Sequence, residues 1–349
     1  MNELGMKTPL ICVPTTYNSV TEEELRTAGF NIVIYANQLL RSAYKAMEEV
    51  ARTILLNQRS FEADPLCASV QEIFKTVGFL DVKEKDKQDE QNSNIPVIIP
   101  TAGEDPILAE ILKGKPKAML EIGGKTLLER QVGLLNAAKL NDITVVAGYA
   151  RDKMNAEGIS ILENQKYKNG SMLHSLMIAR EKMNNGFVML YSDILLESPI
   201  IDRLVEQKED ILLVVDNSIQ YHRADPANVL DFVISKNKHS ASRRKINFAC
   251  ENIVSEIGNK INPETATHEF IGLAKFSKTG TEQFIQTYLD CTENYRGKFQ
   301  EAEDITLSTF TDLIQEMIDR GFVINFLEIH KGWMEIHNPE DIDLANNFL

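Results

Sequence analysis

The sequence predicts an α/β protein with a mixed, mostly parallel sheet, preceded by a smaller part built from two βα units. Three observations carry this. From residue 95 onward, apolar runs of strand length (VIIP, ITVVA, FVMLY, ILLVV) alternate with segments of helical periodicity. The 349 residues are 43% hydrophobic and 25% charged, enough for one large domain and a smaller unit. Between the two parts, residues 82–94 (VKEKDKQDEQNSN) have almost nothing apolar to bury and read as a linker.

Element by element, residues 10–15 (LICVPT) and 30–36 (FNIVIYA) read as short buried strands. Helices are expected over 39–56, where apolar residues recur at helical spacing, and over 65–77. Two such units are too few for a closed barrel or a stable sheet, so this part, 1–81, needs other packing. In 95–349, strands are expected at 96–100, 143–147, 187–191 and 211–215, with helices at 126–139, 172–183 and 199–207. That alternation argues for helices on both faces of the sheet. The Asn/Lys-rich stretch 233–244 reads as an exposed connection; a strand at 270–276, helices at 281–288 and 305–320 and a strand at 323–329 follow. Pro339, after Asn338 in a capping position, opens a last helix. There is no internal repeat.

A net charge of -14 argues against a broad nucleic-acid-binding surface, though not against a local basic pocket for a small anion. Cys12, Cys67, Cys250 and Cys291 have no metal or disulfide spacing. No apolar run is suited to crossing a bilayer, and the first residues do not form a signal peptide, so a cytoplasmic location is expected.

The residues that can carry chemistry cluster in a few motifs. The turn Thr101-Ala102-Gly103, followed by Glu104-Asp105-Pro106, joins a strand to a short helix and has small residues where backbone N–H groups can approach a phosphate. A plain connection is the structural alternative. GGKT at 123–126 is not a P-loop, because Met119 stands where that loop needs glycine. Lys117, directly after Pro116, is placed to offset phosphate charge, the alternative being a solvated lysine beside Lys113 and Lys115. Asp193 follows a strongly apolar strand, where the carboxyl ends of parallel strands form the usual ligand crevice; it either binds Mg²⁺ or caps the next segment. Glu335 is a second acidic ligand if its strand runs beside Asp193, and His337 shares its strand face, although Mg²⁺ prefers oxygen. Gly170 and Ser171 open a helix that either contacts nucleotide or is merely capped by Ser171. His174, His222, His239, His268 and His330 show no metal spacing.

Taken together, VIIPTAG, PKAML, GGKTLLERQ, VVAGY, NGSMLHSL, YSDILLE, EFIGLAKFS and GWMEIHNPEDI resemble the nucleotidyltransferases of the sugar-phosphate and phosphocholine type over 95–349. The resemblance implies a Rossmann-like nucleotidyltransferase fold, Lys117 on the triphosphate, and Asp193 and Glu335 at a Mg²⁺ site, with His337 where an aspartate is common. The family's Gly-x-Gly-x-Arg turn is replaced here by Gly103-Glu104-Asp105-Pro106. Residues 9–78, with VPTTYN and VIYANQLLRS, resemble the last two βα units of phosphoenolpyruvate mutase, a barrel of the isocitrate lyase superfamily whose catalytic residues come mainly from earlier strands. Fusions of the two are associated with phosphonate biosynthesis. The resemblance thus implies transfer of CMP from CTP to a phosphonate such as 2-aminoethylphosphonate. Apart from the resemblance, a cationic amine on the acceptor would suit an aromatic or acidic pocket, for which Tyr221, Asp216 and Glu269 are candidates. Phosphocholine or a sugar 1-phosphate as acceptor, and UTP as donor, are the nearest alternatives. A non-catalytic nucleotide-binding module and one part of a split mutase are the others. The partial barrel also suggests self-association.

Overall fold

In a computed structural model, residues 9–77, 95–221, 230–236 and 252–348 are described. The linker expected at 82–94, Cys250, His222, His239 and most of 233–244 lie outside them. The chain divides into two compact units, Met1–Lys83 and Glu84–Leu349.

In the first unit, β1 (Ile11–Cys12) and β2 (Ile32–Val33) pair in parallel across α1 (Glu22–Thr27), and α2 (Gln38–Asn57) and α3 (Val70–Thr76) follow. The chain enters α1 through a capping box, Thr21 and Glu24 each satisfying the other's backbone N–H. The order is the expected repetition of strand and helix, but the burial is not. Ile11 and Ile32 are 55% and 46% exposed, and α2 has no buried residue despite its amphipathic pattern. Among the described residues of this unit, β1 and β2 bury only Cys12, and two short strands are too few for a stable sheet. The helix expected from residue 65 starts later because Phe61–Leu66 forms a 3₁₀ turn and Ser69 caps the helix, accepting from the Glu72 N–H at 3.1 Å.

The second unit runs β3 (Val97–Thr101), α4 (Ala109–Leu112), β4 (Glu121–Ile122), β5 (Lys125–Thr126), α5 (Leu127–Ala137), β6 (Ile143–Ala147), β7 (Ile159–Glu163), α6 (Met172–Ile178), β8 (Phe187–Leu190), β9 (Ile194–Leu196), α7 (Ser198–Val205) and β10 (Ile211–Asp216). It continues with β11 (Phe232–Ser235), β12 (Val254–Gly258), β13 (His268–Phe276), α8 (Lys278–Asn294), α9 (Phe310–Asp319), β14 (Asn325–Ile329), β15 (Trp333–Glu335) and α10 (Pro339–Phe348). Nine strands form one sheet in the order β12-β11-β13-β8-β3-β6-β7, with β10 joining β13 to β14. β3, β6, β7, β8, β10, β11 and β14 share one direction, while β12 and β13 run against it. The sheet is thus mixed and mostly parallel.

The period-two alternation of the strands builds two cores. Ile98, Val146, Met189, Leu213 and Ala274 face α6, α8 and α9, whereas Val97, Ile99, Val145, Val188 and Leu212 face α5 and α7. A smaller third cluster, including Leu108, Leu120, Ile122, Leu195, Ile336 and Ala345, fastens α4, the β4–β5 hairpin, the β9–β15 pair and α10 together. Three expectations are corrected. Residues 233–235, read as exposed connection, belong to β11, and Val233 is fully buried. The helix at 172–183 ends at Ile178, before a 3₁₀ turn at Arg180–Lys182. That at 305–320 begins only at Phe310, where Thr309 and Asp312 form a capping box.

Candidate active site

The carboxyl end of β3 delivers the expected small-residue turn. Asp105 fixes its far side: one carboxylate oxygen accepts from the N–H groups of Ile107 (2.9 Å) and Leu108 (3.0 Å), and the other lies 3.1 Å from Lys117 Nζ. Lys117 opens a 3₁₀ turn, Lys117–Met119, behind Pro116; the buried Ala118 and Met119 anchor it, so its ammonium points inward. Its Nζ is also 3.0 Å from Asp193 Oδ2, a residue 76 positions away that leaves β8. Lysine and both carboxylates are largely buried, with side chains 15–20% exposed.

Glu335 comes beside Asp193 because β15 pairs antiparallel with β9, with Glu335 opposite Ile194 and the Ile336 N–H donating to the Asp193 carbonyl at 3.0 Å. His337 Nε2 lies 3.4 Å from Glu335 Oε2, although β15 ends at Glu335 and His337 stands two residues past the strand on which it was expected. Its backbone is held by α10, since the N–H groups of His337 and Asn338 both donate to Asp341.

The opposite wall comes from 167–175. Ser171 caps α6, its hydroxyl accepting from the His174 N–H at 3.2 Å, which is the structural role the sequence left open. Gly148, in VVAGY, lies so close to Tyr167 and the Ala102 carbonyl that an added Cβ would come within 2.6 Å and 2.8 Å of them. That motif therefore sets how near the second wall stands to the turn. The resulting cleft of about 260 Å³ is lined by Thr101, Ala102, Gly103, Asp105, Lys117, Gly170, Ser171 and Asp193 among others. A Cβ on Gly103 would meet nothing within 4 Å, so this glycine leaves open space on the floor of the turn. Thr101, Ala102, Gly103, Lys117, Gly170 and Ser171, the residues singled out from the sequence as candidates for a nucleotide, all line this cleft.

The electrostatics are uneven. Burial alone would lower the pKa of Lys117, but the charge and hydrogen bond of Asp193, then those of Asp105, outweigh it and keep the ammonium charged. Glu335 is pushed well above the usual carboxylate range, first by burial and then by the charge of Asp193, with Lys117 offsetting only part. His337 is lowered by burial and by Lys117, so its imidazole is neutral at physiological pH.

These side chains fit a magnesium ion in a particular way. Glu335 and Asp193 are neighbouring carboxylates whose mutual repulsion a divalent cation would relieve, and Mg²⁺ commonly takes one or two carboxylates plus phosphate oxygens and water. Among the described residues there is no group of three or more His, Cys, Asp or Glu arranged to hold a metal. An ion here would thus draw most of its coordination from nucleotide and solvent.

The proposed acceptor residues separate. Asp216 is fully buried and engaged by Ser218, by the Lys331 N–H at 3.1 Å and by Trp333 Nε1 at 2.8 Å, a structural knot that takes up both carboxylate oxygens. Glu269 lies opposite Asp216 on β13 and is 6% exposed; burial, then the charges of Asp216 and Asp231, push it up to about 8. The side chain of Tyr221 lies outside the described residues. Two participants escaped the sequence reading. Asp105 was legible, since an aspartate before Pro106 in a turn is a capping signal. Asp231, raised to about 6 chiefly by burial and accepting from the Tyr191 hydroxyl at 3.3 Å, had no motif around it.

The chain is similar to several known proteins. Residues 112–238 match the MobA-like NTP transferase domain. The chain is 27% identical over 264 residues to a CTP:phosphoglutamine cytidylyltransferase of Campylobacter jejuni, covering 71% of the chain and 97% of that protein. It is 35% identical over 88 residues to the phosphoenolpyruvate phosphomutase of Tetrahymena pyriformis, covering 25% of the chain and only 29% of that protein. Mutase matches partly cover the N-terminal region. The fold is shared with the solved CTP:phosphocholine cytidylyltransferase of Streptococcus pneumoniae (TM-score 0.56, 15% identity, 72% of this chain and 98% of that one). It is shared also with the inositol-1-phosphate CTP transferase of T. maritima (TM-score 0.54, 18% identity, 72% and 95%). Over residues 112–238 the chain is thus similar to the MobA-like NTP transferase domain, and it is an enzyme of the nucleotidyltransferase class.

Proposed function

We propose that the protein transfers CMP from CTP to a small phosphonate, such as 2-aminoethylphosphonate, and releases pyrophosphate. The observation that carries this reading is the Lys117 ammonium, held 3.1 Å from Asp105 and 3.0 Å from Asp193 in the cleft beneath the glycine turn. A fixed cation facing open space beside backbone N–H groups suits a triphosphate. The cytidylyltransferase relatives favour CTP, and the mutase-like N-terminal stretch favours a phosphonate acceptor.

In this reading the turn Thr101–Gly103 cradles the phosphates, and the wall at Gly170–Ser171 positions the nucleotide. A phosphonate oxygen, already anionic, supplies the electron pair for the new bond to the α-phosphorus. The bond from that phosphorus to the oxygen bridging the β-phosphate breaks, and its electron pair leaves on pyrophosphate. No side chain need act as nucleophile or remove a proton; the protein positions reactants and stabilises charge. Lys117 offsets the charge gathering on pyrophosphate. Asp193 and Glu335 would hold Mg²⁺, which when bound neutralises phosphate charge and polarises the phosphoryl group. Glu269, which its burial and the charges of Asp216 and Asp231 keep protonated near neutral pH, would offer an acceptor amine a carboxyl oxygen rather than a charge.

A second reading, a phosphate-bearing acceptor, is favoured by the names of the relatives: phosphoglutamine in one and choline phosphate in another. Pyrophosphate release with CTP or UTP, against 2-aminoethylphosphonate, phosphocholine and a sugar 1-phosphate, separates them. Turnover with CTP and the phosphonate is expected. Preference for a phosphate ester would replace the first reading with the second, and nucleotide binding without any turnover would mark a non-catalytic module.

A further inference from the structure

The GGKTLLERQ motif ends in Gln131, on the sheet-facing side of α5, and this glutamine is only 2% exposed. Its amide nitrogen donates to two backbone carbonyls, Tyr191 at 2.8 Å and Ile194 at 2.9 Å. An amide NH₂ has two hydrogens, so both are used. The two acceptors bracket Ser192 and Asp193. Gln131 therefore grips, from behind, both ends of the short turn that carries the site aspartate.

That grip is made at a cost. Gln131 Oε1 is buried with no hydrogen-bond partner among the described residues, which costs stability because the desolvated oxygen is left uncompensated. Flipping the amide would aim the oxygen at two carbonyls, so the orphan belongs to this arrangement. The platform behind it is stiff. α5 starts from a capping box between Thr126 and Glu129, and Leu128, Val132 and Leu135 bury it against the sheet. The same turn has other tethers: the Tyr191 N–H donates to Gly272 at 2.8 Å, and the Asp193 carbonyl accepts from Ile336 at 3.0 Å. Gly272 lets β13 pass that closely, since with φ at +78° a Cβ there would fall 2.3 Å from the Tyr191 ring.

We infer that Gln131 is a positioning residue for Asp193, fixing the turn so that the carboxylate meets Lys117 and the metal-bound nucleotide in one geometry. The inference rests on the proposed role of Asp193. Gln131 touches neither substrate nor cation; it acts through the backbone of 191–194.

The test is Gln131→Met, which keeps the volume and removes both donors, with three readouts on the full chain. Hydrogen exchange at the backbone amides of 191–194 is expected to speed up at least 10-fold while β3 and β6 keep their protection. Magnesium for half-maximal pyrophosphate release is expected to rise by about 10-fold or more, the usual effect of losing a residue that orients a metal ligand. CTP binding measured without Mg²⁺ is expected to stay within about 3-fold, whereas the enhancement of that binding by Mg²⁺ falls. A role confined to packing would lower the melting temperature and leave the magnesium requirement unchanged, which would overturn the inference, as would unaltered exchange at 191–194. If Gln131→Met does not fold, Gln131→Glu keeps the shape and carries the same readouts. If the unaltered protein releases no pyrophosphate with any acceptor, the proposed function fails, and exchange at 191–194 together with the magnesium effect on CTP binding still decides the role of Gln131.

Discussion

The two units read similarly in sequence and differ sharply in structure. ITVVA became β6, wholly buried between helix layers, while FNIVIYA became a two-residue strand with Ile32 and Ile34 exposed. α9 buries one face against the sheet; α2, longer and just as amphipathic in pattern, buries none of its residues. Apolar periodicity specifies which face an element offers. Whether that face is covered depends on a second layer, which the nine-stranded sheet has and which the β1–β2 pair lacks among the described residues.

The largest expected effect separates the two directly. Asp193→Asn should lower pyrophosphate release by about 10²-fold or more, the scale seen when one charge-stabilising group is lost, with an unchanged circular dichroism spectrum. A chain starting at Glu84 should keep both a cooperative melt and that activity; loss of either would show that the site depends on the first unit. Next come the cores. Phe284→Ala, at a fully buried position of α8, should cost about 3–5 kcal/mol, whereas Leu40→Ala, 72% exposed on α2, should cost under about 0.5 kcal/mol in denaturant unfolding. A large loss from Leu40→Ala would mean that something covers α2 in solution.

Protonation gives a smaller effect. Burial, with the charges of Asp216 and Asp231, raises Glu269 to about 8 from an ordinary value of 4.5. Between those values the folded protein holds a proton that the unfolded chain has lost, so Glu269 lowers stability as pH rises through that window. Glu269→Gln should flatten the slope in melts from pH 5 to 8, and an unchanged slope would show that the carboxyl is ionised throughout. Smallest is His337→Asp, which adds an oxygen ligand beside Glu335 and should lower the magnesium requirement a few-fold. No change would put position 337 beyond reach of the ion.

Much of the second unit was legible because its strands are continuous apolar runs with turn signals between them. β6 matches its expected limits, and the last helix begins at Pro339 as expected. β11 was not legible, since residues 232–235 are too short a run to outweigh the polar sequence after them. The reversed direction of β13 was equally hidden, because strand direction is set by long-range pairing with β8 and β10. Lys117, Asp193 and the turn were singled out from their motifs, and Glu335 on the condition that its strand ran beside Asp193; the structure brings Lys117 and Asp193 together and pairs the strand of Glu335 with β9. Asp231 and the grip of Gln131 are tertiary facts; a buried glutamine reads in sequence as an ordinary polar helix position.

The most direct measurement is pyrophosphate release from CTP with 2-aminoethylphosphonate, with and without Mg²⁺, in the unaltered protein and in Lys117→Ala. The account expects Mg²⁺-dependent release that falls by about 10²-fold in the variant. Equal release in the two proteins would contradict it, as would no release from the folded, unaltered protein with any nucleotide and acceptor.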